Sequence, residues 1–346
     1  MPLVIEGGRV PRQLSQRNLA SPEDPASGRN IERIRIALIN NMPDAALEDT
    51  EIQFFDLLGA SAGDVALSLK LYSLPHLPRG DAGVQHLRSF YLGIEDLLNN
   101  RFDGVIMTGT EPRYPDLRQE PYWAELTKIL DWAERNTTST VLSCLAAHAG
   151  VLHSDGIPRH RLPDKHFGVF EYKRTGAHAL TGGVEDKLQI PHSRWNEVRG
   201  DALISSGYAV LTQCADAGVD LFVKKKKNSL FVHFQGHPEY AVRTLLKEYR
   251  RDVKRFLRGE RETYPNLPHG YFDRAATQLL EEFHEHAVTN PGAAALERFP
   301  EAAVSGALQR TWRKPAIAIY RNWLQYLRSR RTEASPRSAL VPATRG

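Results

Sequence analysis

The sequence predicts an α/β protein with a mostly parallel sheet that is covered by helices on both faces. Short apolar runs rich in β-branched residues alternate with segments of helical spacing from residue 34 to residue 152. This alternation is typical of strands and helices that follow one another in a parallel sheet. The chain has 346 residues, of which 41% are hydrophobic and 25% charged. That composition excludes wholesale disorder, and the length allows one large domain or two ordinary ones.

The periodicity of apolar residues places the individual elements. In the first half, strands are expected at 34–39, 65–74, 102–107 and 138–142, and helices at 45–58, 122–135 and 145–152. In the second half, two apolar runs at 221–223 and 230–235 flank four lysines and predict a hairpin with a solvated tip; a phosphate contact by these lysines is the alternative. Helical spacing follows at 242–257 and 316–327. These later pieces are expected as hairpin and helical additions to the sheet.

The two ends of the chain differ in composition from the middle. Residues 1–30 are rich in Pro, Ser, Arg and Asn without hydrophobic period, and predict a flexible arm. Residues 331–346 predict a flexible tail. A single domain is therefore expected over residues 31–330.

Charge and cysteine content limit the classes of function. The net charge of +4 is too small to indicate a nucleic-acid-binding protein. No apolar run approaches the roughly 20 residues of a membrane span, and the N-terminus lacks the apolar region of a secretory signal. Only Cys144 and Cys214 occur, which excludes a disulfide framework and favours a reducing compartment, hence the cytoplasm. The histidines lack the spacing of metal ligands, so no metal is expected. The sequence has no Gly-rich phosphate loop, so no nucleotide cofactor is expected either.

Cys144 occupies a position that favours catalysis. It follows the strand expected at 138–142 and precedes a helix whose first turn contains Ala146 and Ala147. A sharp strand-to-helix turn presents a nucleophile at the carboxyl edge of the sheet, where backbone N–H groups can hold an oxyanion. The alternative is a buried structural cysteine. Cys214 has no such context and is interpreted as structural.

A second motif supplies partners for a thiol nucleophile. The sequence Gly-His237-Pro-Glu239 follows the apolar run at 230–235. An imidazole there can face the thiol while the carboxylate orients the imidazole. The alternative is a surface loop with an incidental His and Glu. The order Cys, His, Glu resembles that of class I glutamine amidotransferases.

Further motifs narrow this resemblance to one family. The chain resembles the homoserine O-acyltransferases of the homoserine O-succinyltransferase type, which have a class I glutamine amidotransferase-like (flavodoxin-like) fold. The matching segments extend from about residue 34 to residue 326 and occur in the order of the family: 41–43, 50–51, 102–104, 108–109, 122–123, Cys144, 165–170, 191–194, 236–240, 248–252, 271–272 and 322–323.

The resemblance implies a ping-pong acyl transfer in methionine biosynthesis. Cys144 would attack the thioester of an acyl-CoA co-substrate, and His237, oriented by Glu239, would activate the hydroxyl of L-homoserine. The backbone N–H groups of Leu145 and Met42 are the expected oxyanion donors. A homodimer is also implied, with no nucleic-acid or membrane partner.

The resemblance also implies residues that bind substrate. Arg251 matches the arginine that binds the carboxylate of the amino acid, and Lys165 and Ser193 match other positions of the pocket. Otherwise Arg251 would be an ion-paired surface residue and Lys165 a residue at the pocket edge with its amine in water. All three are expected to contact the amino-acid substrate.

The sequence departs from the family in the loop that influences the choice of acyl donor. Glu111 and Arg113 stand where the family usually has other residues. If Arg113 lines the acyl pocket, a succinyl donor is favoured; if Glu111 lines it, its charge would repel a succinyl carboxylate and favour acetyl. Counting from Thr108 and Gly109 favours Arg113, and thus succinyl.

Three other functions are compatible with the same residues. The acceptor could be serine or another small amino compound in a specialised pathway. Glutamine amide hydrolysis is disfavoured because the elbow lacks the Gly-x-Cys-x-Gly that is typical of that class. A catalytically silent binding protein is disfavoured because Cys144, His237 and Glu239 are all present.

Overall fold

The computed structural model describes residues 3–6, 10–11, 14 and 33–334. These residues form two sheets whose strands, in chain order, are β1 (Leu3–Ile5), β2 (Ile34–Ile39), β3 (Leu67–Tyr72), β4 (Gly104–Met107), β5 (Ser139–Ser143), β6 (His160–Arg174), β7 (Lys187–Glu197), β8 (Ala209–Val210), β9 (Thr212–Cys214), β10 (Gly218–Val219), β11 (Leu221–Lys226) and β12 (Ser229–Phe234). The larger sheet has the order β1-β3-β2-β4-β5-β12-β11-β8. The first six strands in this order are parallel to one another. At the other edge, β11 pairs antiparallel with β12, and β8 pairs antiparallel with β11.

Helices cover both faces of the larger sheet, as expected. The α-helices are α1 (Asp44–Ala62), α2 (Asp81–Phe90), α3 (Ile94–Asn99), α4 (Trp123–Asn136), α5 (Leu145–Asp155), α6 (Gly200–Ser205), α7 (Thr244–Leu257), α8 (Arg274–Thr289), α9 (Glu301–Ser305) and α10 (Arg313–Ala334). Successive side chains of β2 point to opposite faces of the sheet, and so into two different layers of the core. Ile36 and Leu38 pack with α1 and α10, while Ala37 and Ile39 pack with α4 and α5. The predicted α/β class, with its hairpin and helical additions, is confirmed.

A second sheet of four antiparallel strands, in the order β10-β9-β6-β7, was not expected from the sequence. Its main part is the long ribbon of β6 and β7, in which Phe167 pairs with Ser193 and Gly168 with His192. The ribbon contains Pro163, Pro191 and many charged residues, so it lacks the regular alternation that predicts a strand. The ribbon carries two of the family segments, 165–170 and 191–194, toward the carboxyl end of the larger sheet.

The structure describes regular elements in two short stretches that the sequence placed in the arm and the tail. Residues 3–5, placed in a flexible arm, form β1, and Leu3 pairs with Leu67 at the sheet edge. The run Leu-Val-Ile is apolar and buried there, and burial offsets the entropy of ordering so short a strand. Helix α10 continues through residues 331–334, which were assigned to the tail. The rest of the predicted arm and tail lies outside the described residues, apart from 6, 10, 11 and 14.

Candidate active site

Cys144 lies on a strained turn between β5 and α5. Its φ of 53° is in the left-handed region, which non-glycine residues adopt only when the surrounding structure holds them there. The N–H of Cys144 donates to the carbonyl of Phe234 at 2.7 Å. This bond fixes the end of β5 against the end of β12, the strand that leads to His237. The thiol is partly exposed, as a nucleophile must be.

The backbone beside Cys144 leaves an N–H available. The N–H of Leu145 donates to no backbone carbonyl in the described part of the chain. Gly109 lies against it, and a Cβ built on Gly109 would approach the Leu145 nitrogen to 3.0 Å. The other expected donor, the N–H of Met42, already donates to Oδ1 of Asn40 at 3.2 Å. Leu145 is therefore the better placed of the two.

A buried network fixes the loop that contains Met42. Asn40 donates to the carbonyl of Leu47 and to the hydroxyl of Tyr91, each at 3.0 Å. Tyr91 donates in turn to the buried carboxylate of Glu51 at 2.6 Å. Glu51 is therefore connected through Tyr91 to the loop that contains Met42. These hydrogen bonds link the two family segments 41–43 and 50–51.

His237 and Glu239 form a hydrogen-bonded pair at the end of β12. Nδ1 of His237 lies 2.8 Å from Oε1 of Glu239, and both side chains are buried. The N–H of His237 donates to the carbonyl of Pro191 at 2.8 Å. A Cβ on Gly236 would meet the ring of His192 at 2.8 Å, so this turn packs closely against β7. The Glu239 contact at Nδ1 leaves Nε2 as the nitrogen for the thiol.

The charges around His237 favour its protonated form. Burial opposes that form, but the charges of Glu239 and Cys144 and the hydrogen bonds to both outweigh it, so the pKa of His237 is raised well above its ordinary value. Such a histidine stabilises a neighbouring thiolate. The structure thus brings Cys144, His237 and Glu239 together.

Two groups that the sequence analysis missed hold the backbone after His237. The guanidinium of Arg310 donates to the carbonyls of Glu239 and Tyr240, at 2.9 and 2.7 Å. The indole of Trp312 also donates to the carbonyl of Tyr240, at 2.9 Å. Burial lowers the pKa of Arg310 to about 10. No sequence pattern indicates this clamp, since about seventy residues separate its two sides.

The three residues expected to bind the amino acid lie together around two carboxylates. Ser193 donates a short hydrogen bond to Oε2 of Glu248. The amine of Lys165 lies 3.3 Å from Asp252 and 3.7 Å from Glu248. The guanidinium of Arg251 donates to Asp252 at 3.0 Å. The expected cations thus face Glu248 and Asp252, neither of which the sequence analysis assigned a role.

Tyr240 connects this group to His237. Its ring stacks on the imidazole of His237, and its hydroxyl donates to Oε1 of Glu248 at 2.7 Å. Tyr240 and Glu248 both lie in segments of this sequence that match the family. This match was the only feature of the sequence that indicated their importance. The side chain of Tyr240 therefore connects the carboxylate of Glu248 to the His237–Glu239 pair.

Glu111 and Arg113 line the same small cavity, of about 190 Å³, together with Asn41 and Pro43. Glu111 also lies 3.9 Å from Arg251. This ion pair joins the predicted donor loop to the predicted acceptor site, and it offsets part of the charge that Glu111 would present to a succinyl group. The cavity lies beside the loop that contains Met42.

Arg159 was not predicted from the sequence. It donates to the carbonyls of Tyr114 and Pro115, at 2.8 and 2.9 Å. Burial lowers its pKa, and the charge of Cys144 acts in the opposite direction. Arg159 is therefore a cation that both supports the loop after Arg113 and acts electrostatically on the nucleophile.

In the described part of the chain, no group of three or more His, Cys, Asp and Glu side chains could hold a metal ion. None of the helices described is long and apolar enough to cross a membrane.

The sequence matches known proteins over most of its length. The homoserine O-succinyltransferase family matches residues 11–334. The chain is 45% identical over 309 residues to the homoserine O-succinyltransferase of Rhodopseudomonas palustris, covering 89% of this chain and 92% of that protein. It is 40% identical over 334 residues to the homoserine O-succinyltransferase of Bradyrhizobium japonicum, covering 94% and 99%. Among solved structures, a glutamine amidotransferase from Methylobacillus flagellatus has a TM-score of 0.47 at 14% identity, covering 86% of this chain and 95% of that chain.

The family match covers Cys144, His237, Glu239 and all of the residues expected to bind substrate. The segments that contain Cys144, Ser193, His237 and Glu248, which carried part of the resemblance in the sequence, lie together near the carboxyl end of the larger sheet. The chain therefore belongs to the homoserine O-succinyltransferase family, whose members are O-acyltransferases.

Proposed function

We propose that the protein transfers a succinyl group from succinyl-CoA to the hydroxyl of L-homoserine through an acyl-cysteine intermediate. The observation that carries this proposal is the strained turn at Cys144 beside the His237–Glu239 pair. The acyl-CoA serves as a co-substrate, and the chemistry needs no cofactor. Two free cysteines suit a reducing cytoplasm, and the protein acts in methionine biosynthesis as a homodimer.

The first half-reaction forms the acyl-enzyme. Sγ of Cys144 attacks the thioester carbonyl carbon. The oxyanion that forms accepts a hydrogen bond from the N–H of Leu145 and another from the N–H of Met42, which is a shared donor. Collapse of this intermediate breaks the bond between carbon and the sulfur of CoA. The leaving thiolate takes the proton from His237, so CoA leaves as a thiol and His237 becomes neutral.

The second half-reaction transfers the acyl group. Nε2 of His237 accepts the hydroxyl proton of homoserine while the hydroxyl oxygen attacks the acyl carbon of Cys144. The second tetrahedral intermediate releases the Cys144 thiolate and the ester product. Glu239 holds the imidazole in the required orientation and stabilises the cation that forms.

The acceptor is bound by the charged group beside Tyr240. Arg251 binds the carboxylate of the amino acid, since a guanidinium offers two parallel donors. Glu248 and Asp252 bind its ammonium group, with Ser193 and Lys165 holding the two carboxylates in place. Because Glu248 is fixed by Tyr240, which stacks on His237, this arrangement sets the distance between the amino acid and the catalytic base.

Arg113 binds the free carboxylate of the succinyl group. Its position in the cavity beside Asn41 supports this role, and the pairing of Glu111 with Arg251 reduces repulsion by Glu111. The loop is therefore compatible with the succinyl donor that the family name states.

An assay of CoA release tests the proposal. Purified protein is mixed with succinyl-CoA, acetyl-CoA or glutaryl-CoA, each with homoserine, with serine or without acceptor. Fast CoA release that needs both succinyl-CoA and homoserine supports the proposal. Equal rates with serine would instead support the specialised acceptor, and release of ammonia from glutamine without any CoA would support an amidotransferase. Cys214→Ala provides a matched control for Cys144→Ala.

A further inference from the structure

A large cavity lies at the end of the sheet opposite Cys144. Its volume is about 890 Å³, within the roughly 300–1,000 Å³ of small-molecule sites. The walls include Asp103, Thr138 and Leu230, which lie at the amino ends of β4, β5 and β12. Cys144 follows the carboxyl end of β5, so the length of this strand, roughly 20 Å, separates the cavity from the thiol. The catalytic site and the cavity are therefore distinct.

The cavity is strongly cationic. Its lining contains six cationic side chains and a single carboxylate, that of Asp103; the cations are Arg35, Arg101, Arg135, Lys225, Arg330 and Arg331. They come from distant parts of the chain, namely the start of β2, the loop before β4, the last turn of α4, the end of β11 and the last turns of α10. An excess of positive charge of this size at one concave site attracts anions.

Most of this charge is not neutralised within the cavity. Oδ2 of Asp103 accepts from Arg331 at 3.0 Å and from the backbone N–H of Arg35 at 2.8 Å. No hydrogen bond or ion pair to a described residue engages the side chains of Arg101 and Arg135. Asp103 pairs with Arg331 and Glu333 pairs with Arg330, so four of the six cations have no carboxylate partner among the described residues.

The hairpin lysines divide into two groups in a way that supports this interpretation. Lys224 and Lys226 form ion pairs with Asp155, and Lys227 forms one with Glu134. Lys225 instead lines the cavity, where burial and the charge of Arg330 lower its pKa. The alternation of the strand places Lys225 on the opposite face from its two neighbours. Three of the four lysines therefore form ion pairs within the protein, and the fourth, Lys225, faces the cavity.

We propose that this cavity is a second binding site that takes a phosphorylated small molecule of nucleotide size. Guanidinium groups bind phosphate oxygens through paired hydrogen bonds, and an anion of three or four charges matches the excess of cations. The volume accommodates a nucleotide, whereas inorganic phosphate would leave most of it empty. The cavity and Cys144 lie at opposite ends of the sheet, so we assign the cavity to a ligand other than the acyl donor.

Binding of ATP to the full chain, measured by calorimetry in EDTA, tests the proposal. The variant Arg101→Gln/Arg135→Gln removes two cations that have no partner among the described residues. The control Arg88→Gln/Arg274→Gln removes two exposed arginines outside the cavity. Saturating CoA is added in a parallel series to occupy the catalytic site.

The expected result is binding of one ATP per chain that persists in saturating CoA and weakens as salt rises. The cavity variant should weaken it by about tenfold or more, while the control stays within about twofold and both variants keep wild-type CoA release without ATP. The proposal is overturned if millimolar ATP does not bind in low salt, if CoA displaces it, or if both variants weaken it equally.

Discussion

The ring of Tyr240 stacks on the imidazole of His237, with centroids 4.3 Å apart and planes inclined by 16°. The same side chain donates from its hydroxyl to Glu248. A single residue therefore contacts the proposed catalytic base with its ring and the proposed acceptor site with its hydroxyl. The two contacts can be removed separately by mutation.

Tyr240→Phe keeps the ring and removes the hydroxyl. We expect the KM for homoserine to rise on the order of tenfold, the effect of one lost hydrogen bond, with kcat within about twofold. Tyr240→Ala removes the stacking as well, and kcat should fall by about tenfold or more. Steady-state kinetics with Tyr326→Phe as a distant control measure both. Equal changes in kcat and KM for Phe and Ala would contradict the division of roles.

Glu239→Gln should change the pH dependence of turnover as well as its size. Glu239 raises the pKa of His237, so removal of its charge lowers that pKa. The base then stays unprotonated to lower pH, and the acid limb of the kcat profile should shift to lower pH. We also expect kcat to fall roughly tenfold or more, because the imidazole loses its orienting anion. An acid limb that stays in place would remove the proposed role of the carboxylate.

Asp220 should make the folded state less stable as pH rises. Its buried carboxyl accepts the N–H of Gly236 at 2.6 Å, and burial raises its pKa from 3.8 to about 7. A carboxyl whose pKa is raised by folding contributes stability that is present below pH 3.8 and lost by about pH 7. Asp220→Asn keeps an acceptor for Gly236 and removes this titration.

Denaturant melts between pH 4 and pH 7 measure the effect. The free energy of unfolding of the wild type should fall relative to that of Asp220→Asn by up to a few kcal/mol over this range. The exposed Asp201→Asn serves as the control and should follow the wild type. Parallel curves for wild type and Asp220→Asn would show that the carboxyl does not titrate there.

Donor selectivity depends on which charge of the loop faces the acyl group. Arg113→Ala should lower the ratio of kcat/KM for succinyl-CoA over acetyl-CoA by about tenfold or more, because it removes the partner of the succinyl carboxylate. Glu111→Ala should change that ratio little, since Glu111 lies against Arg251. A rise in the ratio confined to Glu111→Ala would assign the acyl pocket to the glutamate, and no change in either variant would place the loop away from the acyl group.

The proximity of Cys144, His237 and Glu239 could be predicted because each signal is local in the sequence. A strand that ends at Cys144 before small residues predicts the turn, and the Gly-His-Pro-Glu sequence predicts the pair of His237 and Glu239. Their meeting follows from the parallel pairing of β5 and β12, which places both carboxyl ends at one edge.

Other parts of the site could not be predicted because they depend on contacts between distant segments. Ser193 and Glu248 are 55 residues apart, and Arg310 and Glu239 are 71 apart. Neither pair has a pattern that links it in the sequence. The β6–β7 ribbon lacks regular alternation, because some of its polar residues, among them Lys165 and Ser193, face the site rather than solvent.

The mass of the intact protein after mixing with succinyl-CoA, without acceptor, tests the central claim most directly. We predict that wild type and Cys214→Ala each gain one succinyl group, that homoserine then removes it, and that Cys144→Ala gains none. A succinyl group on Cys144→Ala, or full product formation by that variant, would contradict the acyl-cysteine mechanism.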